Sequence, residues 1–247
     1  MFDDVVTSEL IKFADEDKKA IFPRFFKTGK GEYGEGDKFL GVTVPNVRIV
    51  AKQHLDAEKD DITLLLASQW NEVRLCALLI MVEKHLLSTK RSWINRNGEK
   101  AAETLQKQLF ELYLSHTDRI NNWNLVDLSA PVVVGDYLLG RSHDVLYRLA
   151  NSNLLWDQRI AVVSTSAFIR HGDLKDIFSL SELLLHNPHD LMHKAIGWML
   201  REAGKRDKAA LEAFLDRYAC EMPRTMLRYS IEKFPEEERK IYLQKKK

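Results

Sequence analysis

The stretch NPHDLMHKAIGWMLREAGKRD, residues 187–207, contains the clearest helical pattern of the chain. At about 100° per residue its side chains separate onto two opposite faces of a helix over 191–204. One face is apolar and consists of Ala195, Ile196, Met199, Leu200 and Ala203. The opposite face consists of Lys194, Trp198, Arg201 and Lys205. The pattern therefore predicts a helix with a core face and a basic face that contains one aromatic ring.

Two further blocks have a related pattern: NLLWDQRIAVVSTSAFIRHGD at 153–173 and CEMPRTMLRYSIEKFPEEE at 220–238. The basic residues Arg159, Lys194 and Arg228 of the three blocks fall roughly 35 residues apart, a spacing typical of two-helix repeats. We expect the first of these blocks to form one helix from Trp156 to His171. Stacked helix pairs form a solenoid whose concave face is the natural binding surface.

The remaining chain also favours helices. Helix pairs begin at Pro45, a residue suited to a first helical turn, and no segment shows the sustained two-residue alternation of a β-strand. A glycine-rich stretch, residues 29–36, predicts a loop after a first helix, and it lacks the lysine and hydroxyl residue of a phosphate-binding loop. We predict a single all-α, HEAT-like helical repeat solenoid over 1–247, with the N-terminal helix and loop in 1–44 and the repeats in 45–247.

Composition and charge limit the function. The 247 residues are 45% hydrophobic, enough for a sizeable core, and the formal net charge is only +1. A neutral total argues against coating of nucleic acid by bulk charge but leaves local patches open. Residues 141–247 contain 19 basic and 15 acidic residues. This excess weakly favours an anionic partner for the C-terminal half.

No compartment signal or cofactor motif is found. The N-terminus, MFDDVVTSEL, is acidic and unlike a signal peptide, and no apolar run approaches the roughly 20 residues that span a bilayer. Cys76 and Cys220 fall in apolar patterns and predict small core residues rather than a disulfide. His186, His189 and His193 lack a zinc-site signature. We expect a cytoplasmic, soluble protein without a metal or other cofactor.

The segment NNWNLVDLSAP, residues 121–131, predicts a pocket wall. Trp123 and Asp127 lie four residues apart and therefore on one helix face, with the small Ala130 one turn further, while Leu125 and Leu128 point towards the core. The alternative is an aspartate that caps a helix or pairs with an arginine. Trp198 has an alternative too, as a ring that covers the next helix pair beneath the stems of its basic neighbours.

These segments resemble the AlkD family of DNA alkylation repair glycosylases, and the resemblance extends from GDKFLGVTVPNVR, residues 36–48, to the last helices. NNWNLVD matches the family's W-x-x-x-D element and gives Trp123 and the catalytic Asp127. WDQRIAVVS places Arg159 on the family's active-site arginine, and HKAIGWMLREAGK places Trp198 on its second active-site tryptophan. Asn122 and Asn124 replace aromatic and acidic residues of some members, which bears on the substrate range.

The resemblance implies removal of N3- or N7-alkylated purines from duplex DNA by a monomer, with the lesion left in or near the base stack. Asp127 would stabilise the cationic sugar and orient water, Trp123 and Trp198 would flank the deoxyribose, and Arg159 would hold a phosphate. Further phosphate contacts are expected from Arg48, Lys194, Arg201, Lys205, Arg224 and Arg228. Two alternatives remain: a non-catalytic binder of damaged or branched DNA, and a helical scaffold for protein partners.

Overall fold

The computed structural model describes residues 2–244, and the contacts divide the chain into two compact units, residues 1–137 and 138–247. Within the described residues the only β-type pairing is an isolated bridge between Lys38 and Trp70. All regular elements in that range are helices, which confirms the predicted all-α, helical-repeat class. The prediction of one continuous domain stays a prediction.

Unit 1 contains eight α-helices among the described residues. They are α1 (Phe2–Ile11), α2 (Glu16–Phe25), α3 (Val44–Gln53), α4 (Lys59–Leu66), α5 (Asn71–Ser88), α6 (Arg91–Asn97), α7 (Glu99–Leu114) and α8 (Trp123–Ala130). A 3₁₀ turn (Thr117–Arg119) precedes α8, and a π-helix (Pro131–Asp136) follows it. Two helices therefore precede the glycine-rich loop, where the sequence predicted one.

Helix α5 is the centre of unit 1. Its run VRLCALLIMV is buried on every side, because α3, α4, α7 and α8 all pack around it. The helix also contains buried polar residues near its start. Glu72 is 2% exposed, and its carboxylate accepts hydrogen bonds from the backbone N–H groups of Leu40, Gly41 and Val42 at 2.9–3.1 Å. This contact fixes the chain that leads from the glycine-rich loop into α3.

Unit 2 contains the other eight α-helices of the described residues. They are α9 (Asp144–Ala150), α10 (Leu155–Ser164), α11 (Ser166–Arg170), α12 (Lys175–Leu183), α13 (Asp190–Arg206), α14 (Lys208–Tyr218), α15 (Arg224–Ser230) and α16 (Glu236–Gln244). Helix α13 is central and packs against α10, α12, α14 and α15. The apolar face predicted for it is fully buried, at 0% exposure for every one of its five residues.

Helix α15 lies unusually close to α13 because of a glycine. A Cβ atom on Gly197 would lie 2.5 Å from the Tyr229 Cβ and 2.6 Å from the Met226 carbonyl oxygen. No side chain fits such a space without a shift of the backbone. Gly197 is therefore part of the helix–helix contact, next to Trp198.

The prediction of one continuous helix over 156–171 is wrong, because α10 ends at Ser164 and α11 begins at Ser166. The Ser164 hydroxyl donates to the Ile160 carbonyl and the Thr165 hydroxyl to the Val162 carbonyl, both at 2.6 Å. Such bonds from serine and threonine back to the preceding turn bend helices.

Cys220 also differs from the prediction, because it is exposed after the end of α14, whereas Cys76 is buried. No helix in residues 2–244 has the length and apolar character required to cross a membrane.

Candidate functional site

Helix α8 positions the predicted W-x-x-x-D element. Trp123 is its first residue, and Asp127 follows one turn later; both side chains are half-buried. Leu125 and Ser129 on the opposite face are completely buried, so that face lies against the core of unit 1, and Ala130 beside the pair is completely buried as well. The structure therefore brings Trp123 and Asp127 together on one partly exposed face.

The ring of Trp123 is part of an aromatic cluster. It stacks on Phe26 with ring centroids 5.1 Å apart and planes at 20°, and Phe26 stacks in turn on Phe39 at 4.6 Å. Phe25 meets Trp123 edge-on at 5.7 Å while remaining 58% exposed. Stacked and edge-to-face pairs of this kind restrict the orientation of a ring. Trp123 is thus held in one orientation by residues from the end of α2 and the loop after it.

The asparagines on either side of Trp123 are structural. Asn122 is 0% exposed, and its Nδ2 donates to Asp37 Oδ2 at 2.9 Å, while its Oδ1 accepts from the backbone N–H of Trp123 at 2.8 Å. Asn124 is 5% exposed, and its Nδ2 donates to Asn71 Oδ1 at 2.7 Å. Since both side chains are directed into the core, they attach α8 to the rest of unit 1, and their link to substrate range stays a prediction.

Below Asp127 lies a buried hydroxyl pair. Tyr113 is completely buried, and its OH shares a hydrogen bond of 2.9 Å with Ser129 Oγ. Burial raises the pKa of the Tyr113 phenol, and the negative charge of Asp127 adds to that increase. The phenol therefore stays neutral, and Asp127 is the ionisable group on the partly exposed side of α8.

The backbone widens directly after α8. The six-residue π-helix begins at Pro131, whose ring has no N–H to continue the α-helical hydrogen bonds. Its side chains Val133 and Val134 are fully buried, and it packs against α5 and α7. π-Helical turns are rare and occur frequently at functional sites, which makes this segment a second indication for the same region.

In unit 2, Arg159, which the resemblance places in the active site, is buried. It is 4% exposed, and its Nη1 donates to the Leu191 carbonyl oxygen at 2.6 Å. Leu191 lies in the first turn of α13, so Arg159 attaches the start of α13 to α10. The physical reason is the close packing of these two helices, which covers a face that is open when α10 is considered alone.

Trp198 is half-buried on the side of α13 opposite the core, and its basic neighbours are ion-paired. Lys194 lies 2.7 Å from Asp190, one turn earlier, and Lys205 lies 2.8 Å from Glu202. Arg201 contacts Glu232 on the neighbouring segment as well as Glu202. The ammonium groups of Lys194 and Lys205 are exposed, and exposed pairs are worth little in stability, so these two lysines can exchange a carboxylate for another anion at small cost.

The other three predicted phosphate ligands have different surroundings. Arg48 in unit 1 donates to Glu83 at 2.8 Å, and Arg224 in unit 2 donates to the Leu243 carbonyl oxygen at 2.7 Å. Arg228 is exposed on α15, and its side chain makes no hydrogen bond or ion pair with any residue in 2–244. Among the predicted DNA contacts, Arg228 is the cation available without breaking an internal contact.

The three histidines near α13 contact other residues of the protein. His189 caps α13 by accepting from the Leu191 backbone N–H at 3.2 Å, and its pKa is lowered by burial and by the nearby charges of His193 and Arg159. His193 contacts the Asn187 carbonyl oxygen at 2.6 Å, and His186 lies 3.6 Å from Glu221. Residues 2–244 contain no group of three His, Cys, Asp or Glu side chains arranged to hold a metal ion.

Sequence reasoning missed two parts of the site region. Phe25 and Phe26 contact Trp123 from almost 100 positions earlier in the chain, and no sequence spacing connects them. The buried ion pair of Asp37 and Arg74 was missed as well. A signal existed for the second, because three asparagines next to Trp123 at the start of α8 indicate a polar network.

The geometry defines an all-helical protein with a partly exposed tryptophan–carboxylate pair in unit 1 and a cation-rich helix in unit 2. The family model described as DNA alkylation repair enzyme matches residues 6–234. The chain therefore belongs to the DNA alkylation repair enzyme family, and its role is in the repair of alkylated DNA.

A solved structure supports the fold. The structure titled as a predicted DNA alkylation repair enzyme from Enterococcus faecalis matches with a TM-score of 0.57 and 11% sequence identity, over 90% of this chain and 97% of the other. At that identity the likeness establishes the fold alone. Comparison with curated protein sequences finds no match.

Proposed function

We propose that this protein is a DNA glycosylase that hydrolyses the N-glycosidic bond of N3- or N7-alkylated purines in duplex DNA, acting as a monomer without a cofactor. The observation that carries the proposal is the pair of Trp123 and Asp127 on one partly exposed face of α8, in a chain of the DNA alkylation repair enzyme family. The pair supplies the two kinds of group that this reaction needs beside the sugar.

The chemistry depends on the charge of the damaged base. Alkylation at N3 or N7 makes the purine cationic, so it leaves as a neutral base and requires no strong general acid. Bond breaking transfers positive charge to the deoxyribose and gives an oxocarbenium-like transition state. The enzyme must therefore supply negative potential at the sugar and a positioned water molecule.

Asp127 meets both requirements. Its carboxylate stabilises the developing cation and orients the water that attacks C1′, effects worth about 10²–10³ in rate when the group is partly desolvated. The π face of Trp123 adds about 0.5–2 kcal/mol on the scale of cation–π contacts. Because Phe26 stacks on Trp123, the ring is oriented before the substrate arrives.

The proposal also gives roles to residues of unit 2 and to Arg48 of unit 1, which follow from the family resemblance. Trp198 contacts a deoxyribose and Arg159 contacts a phosphate. Arg48, Lys194, Arg201, Lys205, Arg224 and Arg228 are proposed to bind phosphates, a contribution that falls as salt rises. These contacts position the duplex and carry no sequence information.

The test measures free base released from duplex DNA that contains a single N7-methylguanine. We expect release by the wild type and a decrease of about 10²–10³ for Asp127→Asn, with duplex binding retained. Asp118→Asn is the matched control, because Asp118 is an exposed carboxylate of the same unit in the 3₁₀ turn before α8. Salt-dependent binding without release would contradict the glycosylase for this lesion and favour the non-catalytic DNA binder.

A further inference from the structure

The glycine-rich loop ends at a carboxylate that is buried inside unit 1. The side chain of Asp37 is 4% exposed and forms an ion pair with Arg74, whose side chain is 3% exposed. Burial of two charges is costly unless further hydrogen bonds satisfy them. Neighbouring groups supply such hydrogen bonds to both oxygens of Asp37.

Each oxygen of Asp37 is directed to a different part of unit 1. Oδ1 accepts from the Arg74 guanidinium, which also donates to the Ser68 carbonyl oxygen at 2.9 Å. Oδ2 accepts from two amides, Asn71 Nδ2 and Asn122 Nδ2, each at 2.9 Å. Asp37 therefore connects the start of α5 to the residue that immediately precedes α8.

Asn122 transmits this connection to the candidate site. Its Oδ1 accepts the backbone N–H of Trp123, so a single amide group joins Asp37 to the first residue of α8. The loop fits closely against the same amide. A Cβ on Gly34 would lie 2.3 Å from the Phe26 carbonyl oxygen and 3.2 Å from Asn122 Nδ2, so only a glycine permits this approach.

We infer that Asp37 and Asn122 are positioning residues of the proposed reaction: the hydrogen bond between them fixes the start of α8 and, through it, the orientation of Trp123 and Asp127. The inference rests on the proposed function. Helix α8 has only eight residues and runs into a π-helix, and so short a helix is not stable by itself. Its geometry must come from tertiary contacts, and the Asp37–Asn122 bond is a buried polar contact at its first turn.

The first experiment compares two neighbouring asparagines. Asn122→Ser keeps a good N-cap residue but removes the amide that reaches Asp37. We expect single-turnover base release at saturating protein to fall by about 10–100-fold, since displacement of a catalytic group by 1 Å has effects of this size, while the Kd for the duplex stays unchanged. Asn121→Ser is the matched control, because Asn121 accepts from Arg74 at 3.1 Å but does not cap α8.

A second variant tests the bond itself. Asn122→Asp keeps an oxygen that can accept the Trp123 backbone N–H but replaces the donor amide with a carboxylate that faces Asp37 Oδ2. Because two like charges repel each other, we expect base release to fall at least as far as in Asn122→Ser. Equal rates in Asn122→Ser and the wild type would overturn the inference, as would an equal decrease in Asn121→Ser.

A readout independent of activity separates this inference from the proposed function. The protein is labelled with 5-fluorotryptophan, and the Trp123 resonance is assigned with Trp123→Phe. We expect Asn122→Ser to shift the Trp123 resonance and Asn121→Ser to leave it in place. If the wild type releases no base, the glycosylase proposal fails, and the spectrum alone tests whether Asn122 positions Trp123. A Trp123 resonance that does not shift in Asn122→Ser would overturn the positioning role.

Discussion

Two helices of this protein carry a tryptophan four residues from a charged side chain, but their surroundings differ. On α8, Trp123 and Asp127 belong to a face attached to the core by the buried Asp37, Asn71 and Asn122 network. On α13, Lys194 and Trp198 lie on a face whose cations pair with surface carboxylates such as Asp190. The site residues of unit 1 are therefore held in a fixed geometry, whereas the cations of unit 2 can exchange their partners. Chemistry requires the first property, and binding to a polyanion requires the second.

The largest expected effect comes from breaking the buried ion pair of unit 1. Arg74→Met leaves the Asp37 carboxylate buried without its counterion, and loss of one partner of such a pair costs about 3–5 kcal/mol. Denaturant unfolding monitored by tryptophan fluorescence measures the change. Lys194→Met is the control, because it breaks the exposed pair with Asp190 in unit 2, for which we expect less than about 0.5 kcal/mol. Equal effects of the two substitutions would remove the distinction between the units.

The second prediction concerns two glycines of α13. Gly197→Ala forces a Cβ into backbone and Cβ atoms of α15, and overpacking of this kind destabilises by about 1–3 kcal/mol. Gly204→Ala first meets the Cδ2 end of Leu211, which can rotate away, and alanine gains about 0.5–1 kcal/mol in a helix. We expect Gly204→Ala to be close to neutral in thermal unfolding. A neutral Gly197→Ala would show that α13 and α15 are not held at the observed separation.

The third prediction tests whether unit 2 acts in binding. Arg228→Gln removes an exposed cation, and we expect the slope of log K against log salt for duplex DNA to decrease in magnitude by about 0.9. Arg148→Gln is the control, because Arg148 is also exposed in unit 2 but is not one of the predicted phosphate contacts. We expect it to leave the slope unchanged. If Arg228→Gln lowers the rate at saturating protein instead of the affinity, the division between geometry and charge is wrong.

The smallest expected effect is that the contributions of Glu72 and Glu232 to stability change in opposite directions with pH. Burial raises the pKa of Glu72 in unit 1. Its contribution to stability, relative to Glu72→Gln, is therefore fully present below the unfolded-state pKa and is lost as pH rises through the folded-state value. In unit 2 the pKa of Glu232 is lowered, mainly by the hydrogen bond from Lys233 and further by the positive charge of Arg201. Desolvation acts in the opposite direction but is the weaker influence. Its contribution is present above the unfolded-state pKa and is lost as pH falls through the folded-state value.

Unfolding of each glutamine variant beside the wild type, between about pH 3 and pH 7, measures both trends. We expect the wild type to lose stability relative to Glu72→Gln as pH rises, and to lose stability relative to Glu232→Gln as pH falls. Parallel trends would mean that Glu72 is not desolvated as the structure describes.

Helical period was sufficient to predict much of the fold. The apolar face of α13, from Ala195 to Ala203, is buried as its spacing indicates, because a side-chain direction on a helix depends only on local geometry. The pairing of Trp123 with Asp127 on one face of α8 follows from the same rule. The break at Thr165 and the second N-terminal helix were not predicted, because side-chain hydrogen bonds to the backbone compete with helical period.

The sequence by itself determined which residues share a helix face, and therefore the all-α class, the core of α13 and the Trp123–Asp127 pair. Only the tertiary structure decided what covers each face. It buried Arg159 against Leu191, stacked Phe26 on Trp123 and directed Asn122 to Asp37. The physical reason is that helical period is a local property of consecutive residues, whereas the partner of a side chain depends on packing between segments that the sequence separates.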